Sequence, residues 1–145
     1  MPELNELEVR EFYSRWSSTV FTLSRLFLGE QEAAEEATQQ GFVNYLGEAD
    51  RLEFKSIPLR LLRKTLEAAR GNSSAVRQAF PDTDEMEDMI KLLPQDERAV
   101  FILRSVLDLG FSDVMVVTGL SSEQVNRLWS ESILHVRDFW LKKTS

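Results

Sequence analysis

The chain has 145 residues, 43% hydrophobic and 28% charged, with a formal net charge of −7. That is enough apolar material for one ordinary domain or two small ones, and too much for a disordered chain. With no cysteine and a single histidine, His135, it has no disulfides, thiolate metal sites, cysteine nucleophiles or multi-histidine metal centres.

The pattern is helical from the start. Val9, Phe12, Tyr13, Trp16, Val20, Leu23 and Phe27 recur at steps of three and four, one face of a long helix. Asn5 and Glu8 suit a capping box before it, and Gly29 can stop it. A second helix is expected from Gln31 to Leu46, with Ala34, Ala37, Phe42 and Tyr45 inward and Gly47 as its stop. After a loop, Pro58 sits where a first helical turn tolerates it, and Leu59, Leu62, Leu66 and Ala69 give a third stripe ended by Gly71. Residues 71–85 carry no apolar period, open on Gly-Asn-Ser-Ser and close on an acidic run, and read as a linker.

The second half begins with Met86, Met89, Ile90 and Leu93, a short amphipathic helix stopped by Pro94. Ala99, Ile102, Leu103 and Val106 carry the next helix towards Gly110. Ser112 can cap a short helix through Val114 and Val117 that ends at Gly119, and Ser121 with Gln124 suits a capping box for a last helix reaching about Trp140. The fold class expected is all-α: a helical bundle over 1–70, a short acidic linker over 71–85, and a second bundle over 86–145 containing a helix-turn-helix. Each half is near the lower size limit for an independent core, so packing against the other half or a partner is expected.

Three surfaces are candidates for function. Residues 51–70 carry a net charge of +4 in an acidic chain, through Arg51, Lys55, Arg60, Arg63, Lys64 and Arg70. On the third helix the cations lie off the leucine stripe, which suits phosphate contacts, although a solvated face would look the same. The second helix turns Glu32, Glu35, Glu36, Gln39, Gln40 and Asn44 outward with no lysine or arginine, which suits a basic protein partner or water. From Ser112 to Val136, Met115, Gly119 and Val125 have helix-turn-helix spacing. Ser122, Glu123, Asn126, Arg127 and Ser130 would then face a major groove, Asn126 suited to adenine and Arg127 to guanine or phosphate. A plain four-helix bundle is the alternative on pattern alone. No nucleophile is paired with a base, so no enzyme, metal or cofactor is expected, and His135 is read as a packing residue of the last helix. The apolar runs are far too short to span a membrane, and the acidic start MPELNELEV lacks a secretory pattern. A cytoplasmic protein without membrane insertion is expected.

The segment AEEATQQGFVNYL (34–46), extended upstream through 12–33, resembles domain two of the extracytoplasmic-function (ECF) sigma factors, the small specificity subunits of bacterial RNA polymerase. LLPQDERAVFILRSVLDLGFSDVMVVTGLSSEQV (92–125) resembles the start and helix-turn-helix of domain four. The resemblance implies core RNA polymerase as partner, through its β′ coiled coil and β flap, with Glu35, Glu36, Gln39, Gln40 and Phe42 docking on the coiled coil. It implies that 51–70 meets the downstream promoter element and helps open it, while the last helix reads the upstream element. An anti-sigma factor is a further implied partner. The sequence departs from the family at Pro58, where a tryptophan is usual, at Thr65, where an asparagine is usual, and at Leu128 and Glu131, where arginine is common. Arg127 is the single lysine or arginine between Leu107 and Arg137. These departures define a second reading, a sigma-like interaction protein that has lost DNA reading and regulates transcription through an anti-sigma factor or another protein.

Overall fold

The computed structural model describes residues 4–71 and 85–144. All regular structure among them is helical, as the periodicity predicts. The elements are α1 (Glu6–Leu28), α2 (Gln31–Glu48), α3 (Leu59–Gly71), α4 (Glu85–Lys91), α5 (Gln95–Phe101) running on as a π-helical segment (Ile102–Val106), α6 (Phe111–Thr118) and α7 (Ser122–Thr144). Of the expected linker, residues 72–84 lie outside the described residues, while Gly71 closes α3 and Glu85 opens α4.

Local chemistry sets most helix ends. Asn5 caps α1, but its Oδ1 accepts from the Leu7 N–H at 2.8 Å, not from Glu8. Glu30 caps α2 with both carboxylate oxygens, accepting from Glu32 N–H at 2.9 Å and Ala33 N–H at 2.7 Å. The expected stop at Gly47 is passed: α2 runs through it to Glu48. The helix of α5 turns out not at Gly110 but at Asp108, which takes the left-handed conformation at φ 58°. The Leu109 N–H reaches back to the Leu103 carbonyl at 2.9 Å, a six-residue closure one residue wider than a Schellman turn, following the π-helical segment. Gly110 is instead the residue before α6, and Ser112 lies inside that helix, so it is not the cap. Gly119 does stop α6 in the left-handed conformation at φ 76°, where a Cβ would be strained. The Ser121–Gln124 capping box forms with both reciprocal bonds, at 2.9 and 3.2 Å.

α2 and α3 cross closely at Gly41. A Cβ there would lie 2.8 Å from Thr65 Cα and 2.9 Å from Thr65 Cβ. Thr65 is fully buried and its hydroxyl donates to the Leu61 carbonyl at 2.8 Å.

One core runs through both halves. Phe12, Leu23 and Phe27 of α1 and Leu61, Leu62 and Leu66 of α3 join Ile90, Leu103, Val114, Val117 and Val125 in one buried cluster. α3 packs on α6, and α1 on α4 and α5. Arg98, only 7% exposed, sits at this junction. Its guanidinium donates to the carbonyls of Phe27 (2.7 Å), Lys91 (3.0 Å) and Leu93 (2.9 Å). The Phe27 and Lys91 carbonyls lie at the C-terminal ends of α1 and α4, where the helix dipoles are negative, and that of Leu93 lies in the turn before α5, so one buried cation reaches the ends of two helices and the turn that follows. Burial pushes the guanidinium below its usual value.

Candidate functional site

α2 divides as its sequence divides. Ala33, Ala34, Ala37, Thr38 and Gly41 are buried, while Glu35, Glu36, Gln39 and Gln40 are exposed. The helix contains no lysine or arginine. Along the outer row Gln31 donates to Glu35 (3.2 Å) and Gln40 to Asn44 (2.8 Å), and Val43 is 63% exposed. Glu35 and Gln39 also line an open cleft against Tyr13, Ser17 and Phe21 of α1. Phe42, grouped by resemblance with the docking residues, is 3% exposed, edge-on to Phe12 and against Tyr13. It supports the face from beneath and is no surface contact, because the inward period of α2 places it in the aromatic core.

The cations of α3 are exposed or half-buried, and each meets a carboxylate. Arg60 and Lys64 both meet Glu48, at 2.8 and 3.1 Å. Arg63 meets Glu67 at 3.3 Å one turn along, and Arg70 meets Asp96 of α5 at 3.2 Å. Lys64 and Arg60 together hold the Glu48 carboxyl below the usual carboxylate range, Lys64 most strongly. Tyr45 is stacked on Phe12 at 5.6 Å, and its phenol is raised by burial, an effect that Arg60 partly offsets.

Arg51 and Lys55 differ from the helix cations. Both are exposed on the loop between α2 and α3, and neither makes a side-chain ion pair among the described residues. α1 holds this loop: the Trp16 indole donates to the Glu53 carbonyl (2.9 Å) and Arg15 to the Phe54 carbonyl (3.2 Å). The Phe54 ring, 36% exposed, meets Phe12 edge-on and lines a shallow recess with Arg10, Ser14 and Arg15. Neither Phe54 nor Arg15 stands out by periodicity, and the one local signal in the sequence is an aromatic residue beside Lys55.

In the second half α6, the turn at Gly119 and the start of α7 form a helix–Gly–helix unit. Val125 anchors it, fully buried, and Met115 is accommodated as a partly buried residue against the core. Ser122, Glu123, Asn126, Arg127 and Ser130 are exposed. Arg127 lies 3.9 Å from Glu131, and Leu128 is buried in the core. Trp129 is half-buried, stacked on Phe101 at 6.2 Å with the Arg104 guanidinium 5.1 Å from its ring. Ile133 stays 44% exposed.

His135 is not a packing residue. Its side chain is 52% exposed, and Nδ1 lies 2.5 Å from Oε2 of Glu97, whose side chain is 2% exposed. The lone histidine therefore shields a buried carboxylate, a pairing 38 residues apart that periodicity does not reveal.

Among the described residues no cluster of three or more metal-ligating side chains occurs, and no helix is long and apolar enough to cross a membrane. Against known proteins, the chain matches no family model and no curated sequence.

Proposed function

We propose that the chain is a sigma-like subunit of the ECF type, binding core RNA polymerase through α2 and directing promoter recognition and opening. The observation that carries this reading is α2 itself. Its segment 34–46 carries the sequence resemblance, and Glu35, Glu36, Gln39 and Gln40 form one exposed, cation-free row on a buried alanine seam. Such a row fits a basic helical surface such as the β′ coiled coil, where charge complementarity sets register and rate of encounter. Promoter DNA would meet the cations of 51–70, and the exposed positions of α7 would face the upstream element. The chain supplies binding and opening, and the polymerase supplies catalysis.

Transcription of genomic DNA from the source organism by its core polymerase, with and without the chain and with start sites mapped, tests this reading. The expected result is a set of start sites that appear only with the chain and share upstream and downstream elements. An identical set with and without the chain overturns it.

A specific observation favours the second reading, an interaction protein acting on an anti-sigma factor or another protein. All four α3 cations and Arg127 are matched by carboxylates. An acidic chain whose helix cations are internally matched is a weak non-specific ligand for DNA. Core polymerase or a small inhibitor co-purifying with the chain, without new start sites, supports that reading.

A further inference from the structure

Arg60 and Lys64 stand one helical turn apart on α3 and converge on a single carboxylate from another helix. Glu48 Oε2 lies 2.8 Å from Arg60 Nη2, and Glu48 Oε1 lies 3.1 Å from Lys64 Nζ. Each oxygen takes one cation, as two non-bridging oxygens of a phosphodiester would be shared between the same groups. The other α3 pairs lack this form. Arg63 meets a carboxylate on its own helix, and Arg70 meets one in the second half.

Helix stability gives no reason for an acid at position 48. It is the last residue of α2, where the dipole is negative and where α2 carries no basic side chain. An acid there costs helix stability unless cations outside the helix hold it, which is what Arg60 and Lys64 do. The arrangement is also reachable. The Arg60 side chain is 69% exposed, that of Glu48 47% and that of Lys64 22%, so a ligand reaches the cradle from the Arg60 side, and the exposed Arg60 pair is weak enough to exchange.

We infer that Glu48 is an internal stand-in for a nucleic-acid backbone phosphate: it occupies the Arg60–Lys64 cradle in the free chain, and a strand phosphate displaces it on binding. The inference rests on the proposed DNA-facing role of α3 and adds the residue that sets its affinity. Glu48 opposes weak, non-specific capture of DNA by the free chain, and only a strand presented in register displaces it.

The test uses the full chain and a short fluorescein-labelled single-stranded DNA of mixed sequence, with anisotropy followed over a salt series. Glu48→Gln keeps the shape and removes the charge. It should bind about fivefold to tenfold more tightly at low salt, from the release of one exposed and one partly buried pair. The slope of log affinity against log salt should steepen by about 0.7, one further counterion on a single strand. Glu67→Gln removes one carboxylate charge from α3 itself, beside Arg63, and leaves the Arg60–Lys64 cradle occupied by Glu48, so it should gain much less. Adding Arg60→Ala and Lys64→Ala to Glu48→Gln should abolish the gain. Equal gains in Glu48→Gln and Glu67→Gln would reduce the effect to net charge and overturn the inference. Measurable wild-type binding that Glu48→Gln leaves unchanged would overturn it while α3 keeps its DNA role. Absence of binding in every variant would overturn both.

Discussion

Glu48 and Glu97 are two acids on opposite terms with their surroundings. Glu48 is exposed and held by two cations, with Lys64 the larger cause of its lowered pKa and Arg60 the lesser. A carboxyl whose folded value lies below its unfolded one contributes stability above the ordinary range near 4.5, and loses it as pH falls through the lower folded value. An NMR titration of the Glu48 side-chain carboxyl should give a midpoint below that of an unperturbed glutamate. Lys64→Ala should return the midpoint towards the ordinary value more than Arg60→Ala does, and a midpoint indifferent to Lys64 would contradict the pairing. Glu97 is buried, and His135 is its partner at 2.5 Å. His135→Ala leaves that carboxylate unsatisfied and should destabilise the chain by about 2 kcal/mol in urea denaturation. The double variant Glu97→Gln with His135→Ala should recover part of the loss, and a neutral His135→Ala would remove the pair from the stabilising contacts.

At the scale of elements, two glycines of α2 make opposite predictions. Gly41 faces Thr65 across the α2–α3 crossing with no room for a Cβ, whereas nothing lies within 4 Å of a Cβ at Gly47. Gly41→Ala should cost about 2 kcal/mol and lower Tm by about 4–8 °C, because the obstructing atoms include the backbone of α3. Gly47→Ala should instead stabilise by about 0.5–1 kcal/mol, the helix-propensity difference. Thermal melts of the two variants check both signs. The same elements show what a sequence discloses. The ends at Asn5, Gly29, Gly119 and Ser121–Gln124 are local chemistry within a few residues, and the caps and stops stand where the sequence puts them. Gly47, Gly110 and Ser112 mislead because a permissive residue does not oblige a turn: Asp108 makes the left-handed turn instead, and α2 keeps its ladder past Gly47. The outward rows of α2, α3 and α7 follow from period alone. Their pairings do not, since Arg98 meets Phe27 across 71 residues and Arg60 meets Glu48 from a different helix.

Across the whole molecule, Arg98 joins the two halves. Its three carbonyl partners are Phe27 of α1, Lys91 at the end of α4 and Leu93 in the turn before α5, and the buried cluster is continuous around it. Urea unfolding should therefore be a single transition, with tryptophan fluorescence and far-ultraviolet circular dichroism coincident. Arg98→Met removes the donor and leaves those carbonyls unsatisfied. It should cost about 3–5 kcal/mol, a large share of the stability of a domain this size, with Arg98→Lys intermediate. Two separated transitions in the wild type, or an Arg98→Met variant as stable as wild type, would contradict the shared core.

The proposed role depends most directly on the outer face of α2, where Glu35 and Glu36 are exposed and form no ion pair among the described residues. The affinity of the full chain for core RNA polymerase should be measured by surface immobilisation, for wild type and for the double variant Glu35→Lys, Glu36→Lys, with helical content checked by circular dichroism. Reversing two charges against a basic surface should weaken binding at least about tenfold at unchanged helicity, since like charges set face to face cost several kcal/mol. Equal affinity in the two proteins, or no polymerase binding by the wild type, would contradict it.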